Sequence, residues 1–287
     1  MLVARVFPRR TKATPEDPLA FVGEPPMPPP RVDAVHLSVC FTWDLHEADR
    51  LAKLWEKVAP VSIGGPATGM RGEDFVPGQY LKKGYVITSR GCPNRCSYCS
   101  VWKREGPTLR ELPITEGNNL CDDNILACSD EHFNKVIEML GRQSNVQFTG
   151  GLEAARFKAR HAEAIRSVRP KQIFFAYDTP DDWEPLVNAA QLCWAAGFTK
   201  ASHCVRAYVL IGQPKDTTED AERRLRAVLS LGIVPMAMLW TDDRFREWYH
   251  FQKRWARPAS ICTTRPAKGS RIIKPVAIEE EESVWEF

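Results

Sequence analysis

The chain has 287 residues, a net charge of only +3, and 44% hydrophobic against 26% charged residues, proportions that fit one large domain or a medium one with a small appendage. No apolar run is long enough to cross a bilayer and the N-terminus lacks a signal-peptide core, so no membrane partner is expected and a cytoplasmic location is. In that compartment nine cysteines argue against a disulfide framework; three of them fall within eight residues and mark one dedicated ligand loop among scattered, inert thiols.

Residues 1–31 form a basic, proline-rich lead, with Pro8, Arg9, Arg10 and Lys12 followed by Glu24-Pro25-Pro26-Met27-Pro28-Pro29-Pro30. Proline removes backbone donors and fixes φ, so this lead is expected to lie extended on the surface, outside any sheet interior. Residues 32–80 read as a small α/β unit. Ala34 to Phe41 is strand-like, and a helix from His46 to Val58 places Leu51, Leu54, Trp55 and Val58 on one face. A second strand closes at Gly64-Gly65, a pair that reads as a turn more readily than as a phosphate cradle.

From residue 81 to 240 strand and helix signals alternate, which predicts a parallel β/α architecture. Strands are expected at 85–88, 120–121, 146–148, 173–177, 207–211 and 234–240. Ser129 is a cap for a helix carrying Phe133, Val136, Ile137 and Leu140 and stopped by Gly141; Thr217 or Thr218 caps another that ends at Gly232. Six units are too few for a closed eight-stranded barrel, so the expected fold is α/β: a partial (β/α)6 barrel behind a short β-α-β unit. Residues 241–287 form a basic, aromatic C-terminal extension.

Within the first β/α connection stands Gly91-Cys92-Pro93-Asn94-Arg95-Cys96-Ser97-Tyr98-Cys99. Thiolates from Cys92, Cys96 and Cys99 can bind three irons of a cubane and leave the fourth open to a small chelating molecule. A zinc knuckle is the competing reading. It wants a fourth Cys or His nearby, and none stands within twenty residues of Cys99.

This loop, with aromatic Tyr98 before its last cysteine, resembles the signature of the radical S-adenosylmethionine (SAM) superfamily, and the likeness extends over residues 84–240. The resemblance implies a [4Fe–4S] cluster and SAM as cofactors, with reductive cleavage to a 5′-deoxyadenosyl radical that abstracts hydrogen from the substrate. It implies a flavodoxin- or ferredoxin-type electron donor. Leu120-Cys121-Asp122-Asp123-Asn124 resembles the strand whose end meets the methionyl amine, so Asp122, Asp123 and Asn124 are expected acceptors. Gly150, Gly151, Glu153 and Arg156 resemble the family's Gly-Glu-x-x-Arg element, in which Arg156 would take the SAM carboxylate unless it pairs with Glu153. Gly212 resembles the glycine that admits adenine. Likeness to the cobalamin-associated branch stops at the core: the N-terminal unit is too short for that domain and has no lower-ligand motif, so cobalamin is not expected.

The substrate is less constrained. Residues 244–274 interleave Arg244, Arg246, Lys253, Arg254 and Arg257 with Trp248, Tyr249, Phe251 and Trp255, then add Arg265, Lys268, Arg271 and Lys274. That mixture suits phosphates and stacked bases, or an amphipathic helix closing the barrel with Trp248, Phe251 and Trp255 inside. Asp178, Arg206 and Cys204 are the candidate catalytic residues, Cys204 as a hydrogen-atom donor. Compact, phage-like members of the family act on modified nucleobases, which suggests an isomerase-type rearrangement on a hypermodified thymidine in DNA. A small metabolite or peptide substrate, and an iron–sulfur nucleic-acid-binding module without catalysis, are the alternatives.

Overall fold

A computed structural model describes residues 1–240, 246–256 and 261 and shows two parallel sheets. The first contains β1 (Val3–Phe7), β2 (Ala20–Val22), β3 (Ala34–Ser38) and β4 (Val61–Gly64), in the order β2-β1-β3-β4. The proline-rich lead therefore does enter a sheet interior, contrary to its composition. The reason is local: the prolines begin at Pro8, and the preceding Val3-Ala4-Arg5-Val6-Phe7 keeps every backbone donor, so β1 pairs with β2 on one side and β3 on the other.

Helix α1 (Leu45–Trp55) crosses from β3 to β4 and buries Leu51 and Trp55 against Ala4, Val6, Val35 and Leu37. Trp55 also donates its indole N–H to Gly23 O at 2.9 Å, which satisfies its one polar atom. Arg5, on the central strand, pairs with Asp17 and donates to Gly78 O and Gln79 O at 3.0 and 2.9 Å, fastening the segment that leads to the second sheet.

The second sheet holds β5 (Tyr85–Val86), β8 (Asn119–Leu120), β9 (Gln147–Leu152), β10 (Gln172–Tyr177), β11 (Val205–Ile211) and β12 (Val234–Leu239), all parallel. Their spatial order is the chain order, β5 and β12 are the two edges, and the sheet does not close. Helices α3 (Asp130–Gly141), α4 (Ala159–Ser167), α5 (Trp183–Ala195) and α6 (Thr218–Ser230) alternate with these strands. Ser129 Oγ accepts from His132 N and Thr217 Oγ1 from Asp220 N, both at 3.1 Å, so both expected caps form. Helix α5 buries Leu186, Ala189, Ala190 and Cys193 and turns Glu184, Asn188 and Gln191 outward.

The strand after Lys83 stops at Val86, two residues early. The chain then turns so that β6 (Ser89–Arg90) pairs antiparallel with β7 (Arg110–Glu111), and the excursion between them carries the cysteine loop and α2 (Val101–Glu105). Glu105, 2% exposed, pins this excursion. It pairs with Arg104 and Arg110, each at 3.0 Å, faces Arg90 at 3.7 Å, and accepts from Gly72 N at 3.1 Å.

Helix α7 (Arg246–Trp255) packs on β12. Phe251 and Trp255 are buried and Trp248 packs against the same core, so three rings of the basic–aromatic segment face inward. Residues 241–245, 257–260 and 262–287, which carry most of the expected basic cluster, lie outside the described residues. Among the described residues no helix is long and apolar enough to cross a membrane.

Candidate active site at the strand ends

In a parallel sheet with crossover helices, the carboxyl ends of all strands share one rim, and the loops that follow them meet there. The cysteine loop follows β5 and β6, Asp122–Asn124 follow β8, Glu153 follows β9, Asp178 follows β10, Gly212 follows β11, and Trp240 follows β12. The sequential strand order is what brings residues so far apart in the chain onto one rim.

Cys92, Cys96 and Cys99 are each partly buried. Burial pushes the Cys96 and Cys99 thiols up, and repulsion from the charge of neighbouring loop thiolates adds to this in both. A bound cation relieves that repulsion. The loop is held by its own backbone, Cys99 N to Cys96 O at 3.1 Å, and by the Trp102 indole N–H donating to Cys96 O at 2.9 Å. Trp102 is a residue that motif reading passes over, because its role depends on the short helix α2.

The three residues after β8 divide their work. Asp122 is 2% exposed and turned back under the loop, where it accepts from Thr88 N and Thr88 Oγ1 at 2.6 Å and from Ser89 Oγ at 2.7 Å. Asp123 accepts from Gly91 N at 2.8 Å and so anchors the start of the cysteine loop. Asp122 is thus committed beneath the loop, whereas Asp123 keeps acceptor positions beyond the one that Gly91 N takes.

Asn124 faces Cys92 of the loop. Its Nδ2 lies 3.4 Å from Cys92 Sγ and 2.6 Å from Glu153 Oε2, and its Oδ1 is a buried acceptor with no hydrogen-bond partner. Because an orphaned carbonyl in a 4%-exposed side chain costs about 1–3 kcal/mol, this atom is suited to a cationic donor that arrives from outside the protein.

Glu153 also accepts from Arg156 Nε at 2.8 Å, so the pairing of Arg156 with its own neighbour does form. A Cβ on Gly150 would stand 2.1 Å from Asp122 O; glycine there serves the approach of β9 to the β8 end. Gly151, at φ +89°, has open space above it. Gly212 does not face a cavity: a Cβ there would meet Leu239 Cδ1 at 2.8 Å.

On the far side of the rim, burial and then the charge of Asp182 push the Asp178 carboxyl up to about 7, against a hydrogen bond from Tyr98 that pulls it down. Asp178 thus couples β10 to the cysteine loop, and the Tyr98 ring meets Trp240 edge-on at 6.4 Å. Gln213 Nε2 donates to Asp178 O at 2.8 Å and ties the β11 end to the same point.

Cys204 and Arg206 do not belong to this rim. They stand at the amino end of β11, where Cys204 Sγ donates to Pro170 O at 3.1 Å and Arg206 lies 5.7 Å from the Phe174 ring centre. Six residue steps along the strand separate Arg206 from Gly212, about 20 Å at the strand rise, so neither acts at the rim. Strand direction was the missed signal: residues that precede a parallel strand lie on the opposite edge from those that follow it.

The architecture is thus a parallel α/β sheet with thiols, an unpaired carbonyl and a near-neutral carboxyl gathered at its carboxyl rim. No protein-family model matches the chain, and a search of curated proteins finds no match to it either.

Proposed function

We propose that the chain is a radical SAM enzyme with a partial (β/α)6 barrel, in which Cys92, Cys96 and Cys99 hold a [4Fe–4S] cluster. The observation that carries this reading is the buried, unpartnered Oδ1 of Asn124 beside Cys92 and Glu153. An ammonium group there would gain a carbonyl acceptor and a neighbouring carboxylate, while the three thiols of the loop would supply the iron ligands. When bound, the cluster and SAM supply reductive C–S cleavage to methionine and a 5′-deoxyadenosyl radical, fed by a flavodoxin- or ferredoxin-type donor.

The protein's own contribution is positional. Asn124 orients the amine, Glu153 adds negative charge while Arg156 holds it in place, and Asp178 carries or releases a proton near neutral pH beside Tyr98. Burial of Phe251 and Trp255, with Trp248 packed against the same core, takes from the C-terminal segment three of the four rings Trp248, Tyr249, Phe251 and Trp255 that would stack on bases. That favours a small metabolite or peptide substrate over a rearrangement on a hypermodified thymidine in DNA.

The test is anaerobic reconstitution with iron and sulfide, reduction, addition of SAM, and measurement of 5′-deoxyadenosine with and without duplex DNA. Formation of 5′-deoxyadenosine that DNA does not stimulate is expected. Stimulation by DNA would restore the nucleobase substrate. No cleavage despite an intact cluster would overturn the enzyme reading in favour of an iron–sulfur binding module.

A further inference from the structure

Beneath the rim lies a second group of metal-ligating side chains that the proposed chemistry does not use. Asp122 follows β8, Cys128 ends the short turn Ile125–Ala127, and His132 sits in the first turn of α3. One carboxylate oxygen, the sulfur and one ring nitrogen all lie within 4.8 Å of one another, and Asp122 and His132 are 2% and 7% exposed.

Two features point to a ligand set rather than to packing. A zinc ion bonds sulfur at about 2.3 Å and nitrogen or oxygen near 2.0–2.2 Å, so closing this triangle around one needs about 1 Å of side-chain movement. His132 Nδ1 faces Glu111 Oε2 at 3.7 Å, the side from which a carboxylate steadies a metal-binding imidazole, and its Nε2 turns inward to Thr88 Oγ1 at 3.3 Å, a contact that a metal would replace. Glu111 is itself held, its Oε1 accepting from Ser129 N at 2.6 Å.

The Asp122 carboxylate is held by Thr88 N, Thr88 Oγ1 and Ser89 Oγ, with the Ser89 backbone N–H as a fourth donor, so a metal would take the place of one of them. Only Cys128 of the three is partly exposed, so solvent can reach the group from its side.

We infer that Asp122, Cys128 and His132 form a zinc-class divalent metal site, separate from the cysteine loop, with Glu111 positioning His132 and a solvent molecule completing the tetrahedron. Mixed S, N and O donors suit a borderline ion better than calcium or magnesium, which prefer oxygen alone. The site would tie the β8 end, which anchors the cysteine loop through Asp123, to the start of α3.

Cobalt(II) is the probe, added to the full chain carrying Cys92→Ala, Cys96→Ala and Cys99→Ala so that the loop cannot compete. One equivalent bound with tetrahedral visible bands and a thiolate charge-transfer band, displaced by zinc, is expected. Cys128→Ser should abolish the charge-transfer band, and Glu111→Gln should weaken binding by about 10- to 100-fold without removing it. A His132→Ala variant should lose tetrahedral binding; should it fail to fold, the other two variants decide. Absence of cobalt binding, or a charge-transfer band unchanged by Cys128→Ser, would overturn the site and leave these residues as a hydrogen-bonded pin.

Discussion

The two sheets are built alike and finished differently. Both are parallel, and both send polar residues into the loops beyond their strands. Beyond β1 and β3 of the first sheet, Arg9 and Asp44 meet in a bidentate pair, with Arg9 Nε 2.6 Å from Asp44 Oδ2, so each charge has its partner. Beyond β8 and β10 of the second, Asn124 Oδ1 is left unpaired and Asp178 is lifted toward neutrality. Identical architecture therefore does not locate chemistry; unsatisfied polar groups do.

The largest test of this contrast is Cys96→Ala. It should reduce 5′-deoxyadenosine formation to the level of protein without a cluster, measured by chromatography, while the chain stays folded. Next comes Asn124→Ala. Losing one hydrogen bond to a charged group should raise the KM for SAM by about 10- to 100-fold and leave thermal stability nearly intact.

Arg9→Met should show the opposite pattern. It strands the buried Asp44 carboxylate and should cost about 1–3 kcal/mol in denaturant unfolding, with the KM for SAM unchanged. A matching change in KM would break the contrast between the sheets.

The smallest expected effect is that of Asp178→Asn on the pH dependence of stability. Because the folded carboxyl titrates near 7, above its unfolded value, its stabilising share is complete below about pH 4 and is lost as pH rises through 7. The variant should remove that loss and gain on the order of 1 kcal/mol over the wild type at pH 8. Unfolding curves at pH 5 and pH 8 decide it.

Much of this was legible in the residues. Alternating apolar runs gave the six strands of the second sheet, and Ser129 and Thr217 cap as their chemistry requires. What stayed hidden depended on orientation. Asp122, Asp123 and Asn124 stand side by side in the text, but successive side chains at a strand end point different ways: Asp122 to Thr88, Asp123 to Gly91 N at the start of the loop, and Asn124 to Cys92 Sγ. Strand β1 was masked by the prolines beside it, since composition averages over a window that five residues can escape. The Glu153–Arg156 pairing was visible in the sequence as one of two options, and only geometry chooses between them.

The buried carboxylate of Glu105 has a consequence for how the protein responds to salt and heat. Surface pairs such as Arg142–Glu138 weaken as added ions screen them, whereas a fully buried hub is screened much less. Hydration of charged groups also becomes less favourable on warming, which lowers the cost of keeping this network dry. In concentrated salt or near the unfolding temperature, the grip of Glu105 on Gly72 should therefore outlast the ion pairs around it, and the join between the two sheets should be among the last exposed segments to let go.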